Sequence, residues 1–502
     1  MKPIELLYVA NIISRQGDGA RQDLTFRLLV EHRAFEKIVE VHWAGEDGVW
    51  HVLPAEWLYS LDQQRELWQA HTSVFAAGEH DALPGDVRFA LRCHMAGQEF
   101  WDSNLGFNHD INADSGIRLA NAYTLLHVDY RPRLEPGQDY LPITVAFRPS
   151  APVRHVYVRW STDRWRTFTD TPCYFRRRHW GGAAASNARN PNSYGNEIWI
   201  SHLGVGTAYR VAYAIAGETA AGTVWDDNFG RNYTAHRDRL KILTLNLHCN
   251  QEADQDAKLS LIAQAIRDLD IDIICLQEVA EPWNEGRGDD AANTARLIQD
   301  RIGRPYRLHH DWSHLGFDRY REGSAILSRH EILRTDSGYV SLSQEPLNIH
   351  ARRVVHARIN VPSIGAVNVF SSHLSWINDG FREQFPRLRQ WANEQHADGA
   401  AATLLCGDFN VRAGSEGYDL ATRDGNFSDQ FLLAQLRQRY DEGYGPPPNS
   451  HARPEPEDGR IDYLFAHRDS RIEPVAAREL FTDTDYGRVS DHPGYLVEFE
   501  PC

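Results

Sequence analysis

The segment Thr403-Leu404-Leu405-Cys406-Gly407-Asp408-Phe409-Asn410 decides the fold of the C-terminal half, because its apolar run ends in an acid and an amide. A short apolar run of this kind predicts a buried β-strand. A hydrophobic core excludes unpaired carboxylates and amides. Asp408 and Asn410 are therefore predicted to serve a site at the end of this strand.

Two segments nearer the middle of the chain repeat this arrangement. The apolar run 240–247 has Asn246 near its end, and the run 271–279 carries Glu278. Between them, apolar residues recur at helical spacing over 259–269. Strand, helix and strand, with polar residues at the strand ends, is the way in which α/β domains present active sites.

The remaining apolar segments of this half follow the same rule. One predicted strand ends in His373, another begins at Asp462, and Asp491-His492 precede the last one. A proline-rich segment, 440–459, is predicted to form a mobile loop before Asp462. Each major apolar segment thus carries a carboxylate, an amide or an imidazole at one end.

The ordered motifs TLNLH, LQEV, REGSAILSR, SSHL, GDFN, RIDYLF and SDHPGY resemble the endonuclease/exonuclease/phosphatase superfamily with the deoxyribonuclease-I-like fold. Each motif is weak alone, and the ordered set over residues 240–502 is specific. The resemblance implies a four-layer α/β sandwich for this domain and hydrolysis of phosphoesters with Mg²⁺ or Mn²⁺.

The resemblance also implies roles for the oxygen-bearing residues. Glu278 would be the principal metal ligand, with Asn246 and Asp491 nearby, and hard oxygen ligands suit such a cation. Asp408 and Asn410 would orient the attacking water and a phosphate oxygen.

Two histidines take the remaining implied roles. His492, held by Asp462, would act as general acid/base or as a cation beside the phosphorus. His373 would be a second imidazole, with Glu322 as its partner.

The first half of the chain contains an internal repeat. The segments Trp101–Asn108 and Trp225–Asn232 both fit the pattern W-D-x-N-x-G-x-N. An alternating strand lies upstream of each, so we predict two tandem all-β sandwich modules, 1–127 and 128–236, before the catalytic domain at 240–502. The segment 62–70 allows a short helix in the first copy.

These modules resemble starch- and glycogen-binding modules of the type found in fungal glucoamylases and in glycogen-targeting phosphatase subunits. The resemblance implies sugar contacts from tryptophan rings and amides, since a pyranose has an apolar C–H face and polar hydroxyls. The candidate residues are Trp50, Asn104 and Asn108 in the first copy, and Trp165, Asn228 and Asn232 in the second.

Other interpretations of the modules stay open. Ser103 and His109 depart from the family pattern, which makes sugar binding by the first copy the weaker expectation. Trp101 and Trp225 are expected to pack in the core. The asparagines and glycines also suit a simple turn, and the modules also suit protein docking.

The net charge and the cysteine content limit the classes of function that we expect. The net charge of −16 repels polyanions and lowers the expectation of a non-specific nuclease, although acidity also serves solubility alone. Six cysteines without CxxC spacing are typical of reduced thiols, and we see neither an export signal nor an apolar run long enough for a membrane span. We expect a cytoplasmic protein.

The sequence therefore predicts an Mg²⁺-dependent phosphoester hydrolase that its N-terminal modules target to an α-glucan or another polysaccharide. Its substrate would be a phosphorylated sugar or other small molecule. One alternative is an endonuclease that binds nucleic acid in a basic cleft formed by Arg287, Arg319, Arg321, Arg352 and Arg353. Another is a glucan-binding scaffold with an inactive hydrolase domain.

Overall fold

The computed structural model describes residues 2–16, 19–34, 36–61, 64–76, 82–176, 186–248, 250–284, 286–316, 319–423, 425–441 and 459–502. Most of the predicted loop at 440–459, and Cys249, lie outside these residues. The chain forms two compact units, 1–237 and 238–502, both rich in β-sheet. None of the described helices is both long and apolar enough to cross a bilayer.

The first unit is built from strands. In chain order they are β1 (Ile4–Gln16), β2 (Gly19–Glu31), β3 (Lys37–Ala44), β4 (Trp50–Pro54), β5 (Glu56–Ser60), β6 (Arg65–Ala76), β7 (Val87–Met95), β8 (Gln98–Asp102), β9 (His109–Ile111), β10 (Gly116–Leu119), β11 (Leu125–Val128), β12 (Tyr140–Phe147), β13 (Val153–Ser161), β14 (Thr169–Pro172), β15 (Tyr174–Phe175), β16 (Glu197–Gly204), β17 (Arg210–Thr219), β18 (Gly222–Asp226) and β19 (Tyr233–His236).

The strands of the first unit pair in a pattern that occurs twice. Sheets with the orders β10-β1-β2-β6-β5 and β4-β3-β7-β8 are followed by sheets with the orders β11-β12-β16-β15 and β14-β13-β17-β18. In both halves a last short strand, β9 or β19, pairs with β7 or β17. The internal repeat seen in the sequence is thus a repeat of strand connectivity.

Alternation along the strands determines which side chains form the cores. In β13, Val156 and Val158 are buried while the intervening Tyr157 points away. One buried cluster joins Phe26 and Phe89 of the first sheet pair, whose rings lie 4.9 Å apart. A second cluster joins Val158 with the inward side chains of β12 and β17. Each half of this unit therefore has its own hydrophobic core.

A third cluster joins the two halves of the first unit. It combines Leu7 and Leu67 from the sheet of β1 and β6 with Val128 and Ile198 from the sheet of β11 and β16. Phe229 packs against the same cluster, with the guanidinium of Arg65 4.7 Å from its ring centre. These two sheets are therefore buried on both faces.

Two sequence expectations for this unit were wrong. The segment after Gln64 is the strand β6 rather than a helix, because it pairs with β2 along its whole length. Trp101 and Trp225 are 47% and 42% exposed rather than core residues. They lie on β8 and β18, where the alternation that buries Asp102 and Asp226 turns the preceding tryptophan outward.

The second unit alternates strands and helices. In chain order they are β20 (Leu240–Asn246), α1 (Gln255–Asp268), β21 (Ile273–Asn284), β22 (Arg287–Gly288), α2 (Thr294–Ile302), β23 (Arg307–Gly316), β24 (Tyr320–Ser328), β25 (Glu331–Tyr339), β26 (Arg353–Val361), β27 (Gly365–His373), α3 (Arg382–Ala397), β28 (Ala402–Asp408), α4 (Glu416–Thr422), β29 (Phe427–Asp429), α5 (Gln430–Asp441), β30 (Asp462–His467), β31 (Ile472–Leu480) and β32 (Gly494–Pro501). Short 3-10 and π-helical turns occupy Asp290–Ala292 and Ile377–Phe381.

Two sheets form the centre of this unit. Their strand orders are β23-β24-β21-β20-β32-β31, with β22 on β21, and β25-β26-β27-β28-β30-β29. A buried cluster contains Ile242 and Ile273 from the first sheet and Val355 and Val369 from the second. Cys275 and Cys406 belong to it as buried free thiols.

On each sheet, the face that points away from this cluster packs against helices. Residues of α1 and α2, such as Ile262 and Ile298, share a cluster with Leu276 of β21. On the second sheet, Phe385 of α3 shares a cluster with Phe370 of β27. Because the sheets are held from both faces, their strand ends are rigid supports for a site.

Candidate active site

A cavity of about 530 Å³ opens in the second unit. Seven of the nine residues predicted as catalytic or metal-binding line this cavity, all except Asn246 and Asp462. Both exceptions form hydrogen bonds to residues that do line it. The structure therefore brings the whole predicted set together.

Strand register explains why several of these residues lie close together. His373 at the end of β27 is the direct neighbour of Asp408 at the end of β28. Asp408 in turn pairs with Asp462 at the start of β30. Three adjacent strands thus deliver an imidazole and two carboxylates to one edge of the sheet.

His492 is a charged imidazole held by a buried carboxylate. Its Nδ1 lies 2.7 Å from Oδ2 of Asp462, and its Nε2 lies 4.0 Å from Oδ2 of Asp408. Burial alone would lower the pKa of His492, but the hydrogen bond and charge of Asp462, together with the charges of Asp408 and Asp491, raise it to about 9. The Nε2–H is therefore available to a bound anion at neutral pH.

Asp408 is a buried carboxylate with two neutral donors. Its Oδ2 accepts from Nδ2 of Asn246 at 3.1 Å, and its Oδ1 accepts from the backbone N–H of Asn410 at 2.8 Å. Burial, followed by the charge of Asp462, raises the pKa of Asp408 to about 7. A carboxyl with such a pKa can take up a proton near neutral pH.

Glu278 is aimed into the cavity by an irregularity of β21. The register of β21 against β24 shifts between Leu276 and Val279, and Glu278 has a left-handed backbone with φ of 49°. Such a bulge redirects a side chain that the regular strand would place elsewhere. Asn246 donates to its Oε1 at 3.0 Å.

The surroundings of His373 differ from the sequence prediction. Its Nδ1 lies 4.0 Å from Glu322, beyond hydrogen-bonding distance, and 3.1 Å from Nη1 of Arg352. A guanidinium only donates, so Nδ1 accepts and Nε2 carries the hydrogen. Burial, and then the charge of Arg352, hold the pKa of His373 well below its usual range. Arg352, rather than Glu322, is the partner of this imidazole.

Glu322 shares the cavity as a buried acid. Its Oε1 lies 3.5 Å from Nε2 of His314, its direct neighbour across β23 and β24. Burial, and then the charge of Glu278, raise the pKa of Glu322 to about 7.

Three further ionisable residues line this cavity, His248, Arg352 and His314, and the sequence analysis gave none of them a catalytic or metal-binding role. His248 lines it, and its Nδ1 lies 2.7 Å from Glu252 and 3.5 Å from Asp491. The signal for His248 was its place in the motif TLNLH. Arg352 was left undistinguished from its neighbour Arg353, and nothing in the sequence marked His314.

The predicted basic cleft does not form around the cavity. Of the five arginines proposed for it, Arg352 alone lines the cavity. Arg353 is paired with Asp311 at 2.6 Å. Arg321 lies against the rings of Trp283 and Trp312, at 4.4 and 5.2 Å from their centres.

The residues of this cavity fit a divalent cation. Glu322 and Asp408 both line the cavity, and in each case burial, followed by the charge of another carboxylate, Glu278 or Asp462, raises the pKa. Glu278 and Asp491 add oxygen donors, which are the ligands that Mg²⁺ prefers. Among the described residues, His248, Glu252 and Asp491 also place donor atoms within 4.8 Å of one another.

The predicted sugar-binding asparagines build two equivalent turns in the first unit. Nδ2 of Asn104 donates to the carbonyl of Asn108 at 3.1 Å, and Nδ2 of Asn228 donates to the carbonyl of Asn232 at 3.2 Å. All four have positive φ angles between 51° and 62°. These hydrogen bonds engage one amide group of each pair in the turn itself.

Five tryptophans among the described residues of the first unit are exposed, one of them Trp57 of β5. Besides the predicted Trp50 and Trp165, they include Trp101 and Trp225 of the repeated motif. Beside Trp225, Tyr157 meets its ring edge-on at 5.9 Å, and the guanidinium of Arg159 lies 5.5 Å from its centre. Trp101 has a similar neighbourhood, with His42 at 4.9 Å and Arg92 at 6.0 Å.

Comparison with known proteins finds family matches in two segments of the chain. Residues 243–492 match the Endonuclease/Exonuclease/phosphatase family, and residues 137–236 match the carbohydrate/starch-binding module of family 21. These matches confirm the resemblances of the C-terminal half and of the second module. Among curated proteins, an uncharacterized protein of Escherichia coli K12, YbhP, is 30% identical over 183 residues, which span 34% of this chain and 66% of that relative.

Similar solved structures cover about half of the chain. An endonuclease/exonuclease/phosphatase family protein from Leptotrichia buccalis is 27% identical, with a TM-score of 0.44, and the match covers 52% of this chain and 99% of that one. The catalytic domain of human Nocturnin is 17% identical, with a TM-score of 0.40, and the match covers 53% of this chain and 95% of that one.

Proposed function

Since residues 243–492 belong to the endonuclease/exonuclease/phosphatase family and follow a family 21 carbohydrate/starch-binding module, we propose that this chain is a metal-dependent phosphoester hydrolase targeted to a glucan. The metal is Mg²⁺ or Mn²⁺. The substrate is a phosphorylated sugar or another small phosphoester.

One observation carries this proposal. The charged pair of His492 and Asp462 lies beside the buried carboxylate of Asp408, in the same cavity as Glu278. A protonated imidazole, a proton acceptor and a metal-binding carboxylate are the groups that hydrolysis of a phosphoester requires.

We assign the contacts with the metal to Glu278 and Asp491. Asn246 bridges Glu278 and Asp408 through its Nδ2, while its Oδ1 accepts from the backbone of His248, so it steadies the ligand carboxylate. When bound, the metal supplies positive charge that polarises a phosphate oxygen. Neutralisation of Glu278 would also relieve the repulsion that Glu322 experiences.

Protons are handled on the other side of the cavity. The Nε2–H of His492 donates to a phosphate oxygen and stabilises the charge that develops there, because Asp462 keeps the imidazole protonated. Asp408 accepts a hydrogen from the attacking water. Asn410, whose Nδ2 is held by the carbonyl of Leu374 at 2.8 Å, positions Asp408 through its backbone N–H.

His373 and Arg352 form a second contact for the phosphate group. The neutral imidazole donates from Nε2, since Arg352 occupies Nδ1. The guanidinium remains within reach of the cavity as a buried cation. Together they neutralise the non-reacting oxygens of the phosphate group.

We propose that the first unit supplies the sugar contacts. Trp50 and Trp165 are the platforms indicated by the sequence, with Asn108 and Asn232 as polar partners, and the exposed Trp101 and Trp225 extend this set. Asn104 and Asn228 would support these sites through their turns.

We also propose the domain limits and layers that the sequence indicated. These are β-sandwich modules over 1–127 and 128–236 and a four-layer α/β sandwich over 240–502. The shared clusters of each sheet pair, and the helix residues that join the clusters of the second unit, support this arrangement.

The test is a panel of phosphoesters with purified protein. Phosphorylated glucans, hexose phosphates, inositol phosphates, sphingomyelin, plasmid DNA, RNA and bis-p-nitrophenyl phosphate are incubated with Mg²⁺, Mn²⁺ or EDTA. We expect turnover of a small phosphoester that EDTA abolishes and that Glu278→Ala and His492→Ala both lose. Wild-type turnover in both variants would contradict the site.

Binding of the chain to soluble starch is measured on the same preparations. Retained binding without metal-dependent turnover of any phosphoester would instead establish a glucan-binding scaffold.

A further inference from the structure

The rim of the catalytic cavity carries two exposed apolar side chains. Trp376 and Ile349 are 52% and 58% exposed, and both line the cavity that contains His373 and Asp408. Single exposed apolar residues are common on protein surfaces. An aromatic and an aliphatic residue that share a cavity with buried ionisable groups instead offer an apolar contact to a bound molecule.

The backbone beside Trp376 is firmly held. Leu374 on one side and Phe381 on the other are fully buried, and the backbone N–H of Asp379 donates to the carbonyl of Trp376 at 2.9 Å. The indole is therefore exposed on a fixed support, so little conformational entropy is lost when a ligand stacks on it.

A buried glutamine connects the two rim residues. Gln384 accepts from the backbone N–H of Ser375 at 2.8 Å, and its Nε2 donates to Oγ of Ser375 at 3.0 Å and to the carbonyl of His350 at 3.4 Å. Ser375 precedes Trp376, and His350 follows Ile349. Gly380 permits this arrangement, since a Cβ there would lie 2.6 Å from Nε2 of Gln384. The spacing of the two rim residues is therefore built into the fold.

We propose that Trp376 and Ile349 hold the non-reacting ring of the substrate, and that this ring is a pyranose bearing the phosphoester. This inference rests on the proposed hydrolase function. The C–H face of a pyranose packs on the indole, and its hydroxyl edge meets polar groups such as Gln251 and His314, which line the same cavity.

Three further observations favour a sugar ring over a nucleic acid. Residues 137–236 match a carbohydrate/starch-binding module, so another part of the same chain is suited to bind sugar. The net charge of −16 opposes the approach of a polyanion. The cavity volume of about 530 Å³ lies within the range of small-molecule sites.

Trp376 determines specificity without contact to the reacting atoms. Its loss should weaken binding of the ground state and transition state equally, which raises KM and leaves kcat nearly unchanged. A merely structural role would lower kcat for every substrate together.

The experiment compares three substrates across matched variants, with Mg²⁺ present. Glucose 6-phosphate carries the ring, glycerol 3-phosphate lacks it, and adenosine monophosphate replaces it with a nucleoside. For Trp376→Ala we expect about a tenfold rise in KM for glucose 6-phosphate, since that is the usual scale of one lost aromatic contact. Trp376→Phe keeps a ring and should change this KM by less than about threefold. KM for glycerol 3-phosphate should not change.

Leu333→Ala is the control, because Leu333 is 52% exposed on β25 and does not line the cavity. If Trp376→Ala does not fold, as judged by its near-ultraviolet circular dichroism, Ile349→Ala carries the same test.

Three outcomes are distinguishable. An unchanged KM for glucose 6-phosphate in Trp376→Ala overturns the inference. So does a wild-type protein that hydrolyses adenosine monophosphate or glycerol 3-phosphate but no hexose phosphate, and this result leaves the hydrolase function intact. Absence of metal-dependent turnover on any phosphoester contradicts the hydrolase function itself.

Discussion

Nη1 of Arg352 lies 3.1 Å from Nδ1 of His373, so the imidazole accepts a hydrogen bond from a buried cation. This contact fixes the tautomer of His373, while burial, followed by the charge of Arg352, holds the pKa of His373 well below its usual range. Arg352 directly precedes β26, and the first residue of that strand, Arg353, pairs instead with Asp311.

The first prediction concerns this contact. Arg352→Met should raise the pKa of His373, because the guanidinium charge lowers it, and should reduce kcat/KM by about 10²-fold through loss of a charged contact. Histidine NMR titration and steady-state kinetics measure the two effects. Arg353→Met is the control, since Arg353 pairs with Asp311 outside the cavity. Equal losses in both variants would contradict a specific role for Arg352.

The pair of His492 and Asp462 gives the second prediction. Asp462→Asn removes the charge that holds the pKa of His492 at about 9, so this pKa should fall. The protonated form should then be lost at a lower pH, and kcat should drop by about 10²- to 10⁴-fold, the range of general acid–base contributions. A pH–rate profile in which the alkaline limb does not move to lower pH would refute the assignment. Asp469→Asn, at an exposed acid beside His467, is the control.

Metal dependence gives the third prediction. Glu278→Gln should raise the Mg²⁺ concentration for half-maximal activity by about 10- to 100-fold, the usual cost of weakening a metal site. The same change should lower the pKa of Glu322, because the charge of Glu278 raises it. Activity is titrated against Mg²⁺ after treatment with EDTA. Glu331→Gln on the surface of β25 should behave as wild type.

The fourth prediction concerns stability of the first unit. Burial raises the pKa of Asp226 to about 6 from 3.8, against hydrogen bonds from the His127 backbone and the Tyr233 hydroxyl. The raised pKa means that the folded state binds this proton more tightly than the unfolded state does. The stabilisation of the folded state by this proton is full below pH 3.8 and is lost as pH rises through 6. The loss amounts to about 3 kcal/mol, since each pH unit between the two pKa values contributes about 1.4 kcal/mol.

This stability change is measured by urea unfolding between pH 4 and 7, followed through tyrosine and tryptophan signals. Asp226→Asn should flatten the profile. The repeat supplies a contrast in Asp102, where burial is outweighed by the imidazole of His109 and the pKa is lowered. Asp102→Asn should therefore remove a loss of folding stability that occurs as the pH falls. A profile unchanged by Asp226→Asn would show that Asp226 does not titrate in this range.

Sugar binding gives the fifth prediction. Trp225→Ala should weaken retention on soluble starch in affinity electrophoresis by about tenfold, because the exposed indole is a face for pyranose stacking. Tyr140→Ala removes another exposed aromatic residue of the second module and serves as the control. Equal retention of both variants would argue against a platform at Trp225.

The order of motifs let the sequence predict seven of the fifteen described residues that line the cavity. Asn246, Glu278, His373 and Asp408 all stand at or near the ends of apolar runs, which is a local property of the chain. The internal repeat was equally readable, because the pattern W-D-x-N-x-G-x-N recurs in a single sequence.

Other features could not be predicted from the sequence. They depend on the direction in which a side chain points and on partners that are distant along the chain. Arg352 and Arg353 are adjacent in sequence, yet one lines the cavity and the other pairs with Asp311. Trp101 and Trp225 were expected in the core, although strand alternation turns them outward. Glu322 was expected as the partner of His373, and a cation took that position.

By itself the sequence determined which chemical groups stand at the strand ends, because carboxylates, amides and imidazoles follow or precede its apolar strand-forming runs. Only the tertiary structure decided how these groups are paired and charged. Strand register and the bulge at Glu278 bring together residues up to about 250 positions apart, and burial then sets which of them carry protons. Neither distance nor burial is encoded in any single segment.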